Sequence, residues 1–106
     1  MDVHPKAAAM LGFARRSRHL ILGELALEQG IKSKRAQLVI LAEDVVPRKK
    51  EALGQWCRSA GIPFLILGTK ETYARIFNIQ PQGFIGVTDL QMAQAILGTV
   101  NKYSWR

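Results

Sequence analysis

The chain has 106 residues, 48% of them hydrophobic and 22% charged, with 15 Lys and Arg against 8 Asp and Glu. This length makes one ordinary domain, and the apolar fraction excludes a disordered chain. No apolar run reaches the roughly 18–20 residues of a bilayer span, and one cysteine, Cys57, excludes an internal disulfide.

The first predicted element is a helix over 5–16, where Ala7, Met10, Leu11 and Ala14 recur on a 3.6-residue period and Pro5 suits the first turn. The start, Met1-Asp2-Val3-His4-Pro5-Lys6, lacks the basic-then-apolar order of a signal peptide. A short strand follows at His19-Leu20-Ile21-Leu22, broken by Gly23. A second helix is expected over 24–33, with Leu27 and Ile31 inward and Glu28 paired to Lys32 on the wet side.

Leu38-Val39-Ile40-Leu41 has no polar face, as in a central strand covered on both sides. Pro47 opens a third helix to residue 60 with the stripe Leu53, Trp56, Cys57 and Ala60, and Gly61 is placed to end it. Phe64-Leu65-Ile66-Leu67 is the next expected buried strand, and Thr69 caps a short helix through Asn78 that uses Tyr73, Ile76 and Phe77. After a turn-rich stretch, Phe84-Ile85-Gly86-Val87 makes the last strand. Thr88-Asp89-Leu90-Gln91 fits a capping box for a final helix bearing Ala93, Ile96, Leu97 and Val100. Residues 101–106 are expected to fray. Helices and strands alternate throughout, the pattern of an α/β sandwich in a single domain over 1–106, without repeats or linkers.

Charge is uneven along the chain. Residues 1–50 carry ten basic and five acidic side chains, and residues 51–106 carry five and three. The clusters are Arg15-Arg16-Ser17-Arg18, Lys32-Ser33-Lys34-Arg35 and Arg48-Lys49-Lys50. A net charge of +7 favours polyanions, nucleic acid among them. Catalytic signatures are missing: no phosphate-cradling glycine loop and no nucleophile elbow occur. His4 and His19 have no partner at metal-ligand spacing, so neither metal nor cofactor is expected. Cys57 lies on a buried stripe, where a core thiol is expected. The Glu43-Asp44 pair follows the second strand, where carboxylates serve catalysis in some α/β sheets, cap a helix, or repel phosphates. No partner base or metal cluster accompanies it.

Three stretches together resemble one family. Gly23-Glu24-Leu25-Ala26-Leu27-Glu28-Gln29-Gly30-Ile31 precedes Lys34-Arg35-Ala36-Gln37-Leu38-Val39-Ile40-Leu41-Ala42-Glu43-Asp44-Val45. Downstream come Gly61-Ile62-Pro63-Phe64 with Leu67-Gly68-Thr69-Lys70-Glu71, and then Gly86-Val87-Thr88-Asp89. Over residues 8–98 this order resembles the kink-turn RNA-binding ribosomal protein superfamily, the L-seven-Ae family. Leu11-Gly12-Phe13-Ala14-Arg15-Arg16 and Gly23-Glu24 suggest its bacterial YlxQ-like branch.

The resemblance implies a three-layer α/β/α sandwich around a four-stranded mixed sheet. It also implies a non-enzymatic, cytoplasmic RNA-binding protein, a monomer whose partner is a ribosomal or other structured RNA. The implied contacts are Gly23, Glu24, Leu25, Ala26 and Gln29 on the second helix and Ile79, Gln80, Pro81 and Gln82 before the last strand, with Lys32, Lys34 and Arg35 for phosphates. A helix start presents unpaired N–H groups to acceptors, glycine permits close approach, and apolar loop residues pack on an unstacked base. Gly23 equally serves a plain strand-to-helix turn, and Ile79 and Pro81 equally serve loop packing. Arg15, Arg16 and Arg18 are either a phosphate rim or ordinary surface.

Where strong kink-turn binders carry an Asn-Glu pair and a Lys, this chain has Leu25, Ala26 and Gln29. Glu24 and Gln29 then remain to read base edges. Two other functions compete: a protein-interaction module anchored by Leu25, Tyr103 and Trp105, and a substrate-recognition domain of an RNA-modifying enzyme.

Overall fold

The computed structural model describes residues 3–103. In chain order it contains α1 (Pro5–Arg16), β1 (Leu20–Leu22), α2 (Glu24–Lys32), β2 (Leu38–Leu41) and α3 (Pro47–Ala60). β3 (Phe64–Ile66), α4 (Lys70–Phe77), β4 (Phe84–Val87) and α5 (Leu90–Tyr103) complete it. The strands form one sheet in the order β1-β4-β2-β3, with β4 antiparallel to both β1 and β2, and β2 parallel to β3. The expected α/β/α sandwich around a four-stranded mixed sheet is present.

Alternation along β2 explains its fully apolar sequence. Leu38 and Ile40 enter the core beneath α1, α4 and α5, with Leu11, Tyr73 and Ile96. Val39 and Leu41 enter the opposite core beneath α2 and α3, with Leu27, Leu53 and Cys57. A strand with two buried faces needs apolar residues at every position. Gly86 of β4 lets α2 approach the sheet closely, since a Cβ there would stand 2.8 Å from Leu27 Cδ1.

Local signals predict most element ends. Pro5 and Pro47 begin α1 and α3, and Gly61 ends α3 at φ 74°. Thr69 caps α4 in a reciprocal box with Thr72. Four expectations are corrected. β3 is an edge strand and only half covered, with Ile66 41% exposed, because it has a single neighbouring strand. Trp56 is 36% exposed at the α2–α3 border, where Lys32 Nζ lies 5.1 Å from its ring centroid; Lys32 thus packs on Trp56, across the helix pair. Asp89, not Thr88, caps α5: its Oδ2 accepts from the Met92 N–H at 2.9 Å, because the helix begins one residue later. α5 also continues through Tyr103, into the expected tail. Residues 104–106, and with them the Trp105 anchor, lie outside the described residues.

Candidate nucleic-acid interface

Since β1 and β2 both oppose β4, and β3 runs with β2, three strands point the same way. Their carboxyl ends, and the starts of α2, α3 and α4, therefore gather at one end of the sheet. Backbone hydrogen bonds tie the turns together there. The Gly23 N–H donates to the Phe84 carbonyl at 3.0 Å, Ala42 to Gly83 at 3.0 Å, and Glu43 to Gly68 at 2.7 Å. Three helix N-termini point their positive dipole ends into this region.

α2 opens without a side-chain cap. Gly23 sits at φ 110°, ψ 151°, a conformation essentially confined to glycine, and no atom beyond its chain neighbours lies within 4 Å of where a Cβ would stand. Leu25, Ala26 and Gln29 are exposed, Leu25 by 68%. The helix start is thus open to an approaching acceptor. Glu24 is engaged sideways, its Oε1 2.8 Å from Lys49 Nζ on α3.

Charge at this end is mixed. Lys50 Nζ donates to the Glu43 carbonyl at 2.8 Å, and Asp44 Oδ1 accepts from the Lys70 N–H at 3.0 Å. Asp44 thus satisfies the first amide of α4, beside the Thr69 cap. Arg48 is exposed beside Lys49 and Lys50, and at the three helix starts Arg48, Lys49, Lys50 and Lys70 equal Glu24, Glu43, Asp44 and Glu71 in number.

The sequence-predicted contacts divide. Gly23, Glu24, Leu25 and Ala26 lie together at the open end, with Gln29 further along the same helix. The loop before β4 ends at the same end of the sheet, where its last residues are tied to α4 and β4. Gln82 N–H donates to the Lys70 carbonyl at 3.3 Å, and its Oε1 accepts from Phe84 N–H at 3.1 Å. Gln80 and Pro81 are exposed, while Ile79 is tied to Ala74 at 3.1 Å and packs against the α1–α4–α5 core. These loop residues and α4 enclose a shallow groove with Glu71, Ala74 and Asn78.

Lys32, Lys34 and Arg35 stand at the other end of α2, about 13 Å from Gly23 at 1.5 Å of rise per residue. Arg16 and Arg18 also sit at that far end, where α1 turns into β1. Arg15 serves the fold, since its Nη1 donates to the Phe77 carbonyl at 2.8 Å. The residues missed as site neighbours are Arg48 and Lys49. Their signal was a basic run at the start of a helix following a parallel strand, which topology carries to the α2 end.

Among the described residues no group of three or more His, Cys, Asp or Glu side chains is placed to hold a metal ion. Cys57 is buried, and that desolvation pushes its thiol up to about 11. No helix among the described residues is long and apolar enough to cross a membrane.

Comparison with known proteins agrees with this architecture. The family model of the ribosomal protein L7Ae/L30e/S12e/Gadd45 family matches residues 6–95. The RNA-binding protein YlxQ of Bacillus subtilis is 24% identical over 92 residues, covering 87% of this chain and 92% of that protein. A solved protein of unknown function from Bacillus halodurans superposes with a TM-score of 0.88 at 26% identity, covering 92% of this chain and 99% of the other. The Giardia lamblia 15.5kD RNA binding protein superposes at 0.76 with 20% identity, covering 95% of this chain and 92% of that one, a likeness of fold.

Proposed function

We infer the function from membership: this chain belongs to the ribosomal protein L7Ae/L30e/S12e/Gadd45 family, and we propose that it binds structured RNA without catalysing a reaction. The RNA is bent or internally looped, ribosomal or otherwise, and the protein acts on it as a cytoplasmic monomer needing no cofactor. The observation that carries this reading is the uncapped, glycine-led start of α2, open to solvent beside Lys49 of α3.

Amides at the head of α2 meet phosphate or base acceptors. Glu24 and Gln29 read base edges, and Pro81 and Gln82 border the same pocket of RNA. With Leu25 and Ala26 in place of polar readers, phosphate and shape contacts supply most of the affinity. The decisive experiment titrates a kink-turn RNA against a straight duplex of equal length. Tighter binding of the kinked RNA is expected; equal binding would leave RNA affinity and remove the bend preference. If about five phosphates are neutralised, log affinity falls with log salt at a slope of roughly −3.5 to −4.5. A flat slope overturns the RNA reading.

One observation favours a second reading. Leu25, 68% exposed in the first turn of α2, is an apolar side chain that a docked protein partner would remove from water. A stable protein complex without measurable RNA affinity would select that reading.

A further inference from the structure

β3 ends the sheet, and no strand among the described residues lies along its outer edge. The Val39 N–H donates to the Pro63 carbonyl at 3.0 Å, and the Leu67 N–H to the Leu41 carbonyl at 2.9 Å. By the alternation of a parallel ladder Leu65 faces β2 as well, and the N–H and C=O of Phe64 and Ile66 point outward. Ile66 is also 41% exposed, so the edge offers backbone groups and an apolar side chain together. Such an edge is a template for a further strand.

The charges beside this edge select a second copy of the chain. α3 packs directly over β3, since a Cβ on Gly54 would stand 3.1 Å from Phe64 Cε2. Lys50, Glu51, Gln55 and Arg58 of α3 and Phe64 and Ile66 of β3 line the cleft beside them. Lys50 is turned to the Glu43 carbonyl. Glu51 and Arg58 are exposed, and neither engages another side chain among the described residues. They stand about 10 Å apart along one face of the helix. A partner segment of one sign would be drawn to one of them and repelled by the other. Turned through a twofold axis, the same stripe satisfies both: the two α3 helices run antiparallel, and Glu51 of each copy meets Arg58 of the other.

We propose that two copies of this chain pair through β3, antiparallel about a twofold axis at Leu65, in one continuous sheet. Phe64 of each strand then stands opposite Ile66 of the other and exchanges both backbone hydrogen bonds with it. The same two side chains become apolar cross-strand neighbours beneath the α3 helices. α2 packs away from this edge, over β1 and β4, where Gly30 meets Ile21 and Leu27 meets Gly86. Both α2 starts therefore remain open, and each copy engages its own RNA. Pairing goes beyond the RNA reading, does not rest on it, and replaces only its single-copy state.

The test uses the full chain without RNA. Sedimentation from about 10 µM to about 0.5 mM is expected to show a reversible monomer–dimer equilibrium, as suits a small interface. Amide hydrogen exchange at Phe64 and Ile66 is expected to slow as concentration rises, with β1 unaffected. Arg58→Glu sets glutamate against glutamate at both contacts and is expected to weaken pairing about tenfold. Adding Glu51→Arg exchanges the two signs and is expected to restore it. The double variant keeps the net charge, so its affinity for a kink-turn RNA is expected to stay within about twofold of wild type. Pairing that survives Arg58→Glu, an exchange of signs that fails to restore it, or slowed exchange centred on β1 or α2 would overturn the proposal. So would a chain that stays monomeric throughout. If an extended peptide of alternating apolar residues slows exchange at Phe64 and Ile66 in that monomeric chain, the edge belongs to a partner protein instead. The kink-turn titration reads RNA affinity separately from all of these outcomes.

Discussion

Lys49 Nζ meets Glu24 Oε1 at 2.8 Å, joining the first turns of two helices that run side by side in the same direction. Further along the same pair, Lys32 Nζ rests over Trp56. The upper contact places a carboxylate and its counterion at the open α2 end, so the pair sets the local charge that a phosphate meets.

Glu24→Gln is expected to release Lys49 and tighten RNA binding, steepening the salt slope by up to about one unit. Both side chains are more than a third exposed, so folding stability changes by less than about 1 kcal/mol. Titration at several salt concentrations, beside a thermal melt, checks both parts.

Distance along α2 separates two groups of cations. Arg48→Ala and Lys49→Ala are expected to weaken RNA binding about five- to tenfold each, against less than about twofold for Lys34→Ala or Arg35→Ala. The reverse order would move the interface to the far end of α2.

Gly23→Ala meets no obstacle in space but places a side chain at φ 110°. The expected cost is about 1–3 kcal/mol of stability, read as a drop in Tm of about 4–8 °C per kcal/mol. An unchanged melt would show that the turn relaxes without strain.

Burial raises the Cys57 thiol from an ordinary 9.0 to about 11. The folded state therefore holds its proton where the unfolded chain has lost it. The stabilising difference is intact below pH 9 and is lost as pH rises from about 9 to 11, by about 2–3 kcal/mol. Denaturant unfolding of wild type minus Cys57→Ala across that window isolates the effect from other titrating groups. A thiol reagent at pH 8 is expected to label only the unfolded chain.

Much of the fold is legible because its signals are local. Apolar periods locate five helices and four strands, while Pro5, Pro47, Gly61 and Thr69 mark four of their ends. The misplacements share a cause. Trp56 sits on an apolar stripe, yet the edge of the stripe meets Lys32 instead of the sheet. β3 is apolar throughout, yet it falls at the sheet edge. Neither a helical period nor a run of branched residues records which neighbour lies opposite.

The candidate site divides along the same line. Sequence alone established the alternating architecture, the glycine before α2, the lone cysteine and the excess of positive charge, since each is a property of single residues or short spacings. Tertiary structure alone decided that Lys49 stands beside Glu24, that Lys34 and Arg35 stand at the opposite end of α2, and that Ile79 packs against the core. The physical reason is strand direction. Three strands pointing one way bring helix starts distant in sequence to a common end, and they send the end of each such helix to the opposite end of the sheet.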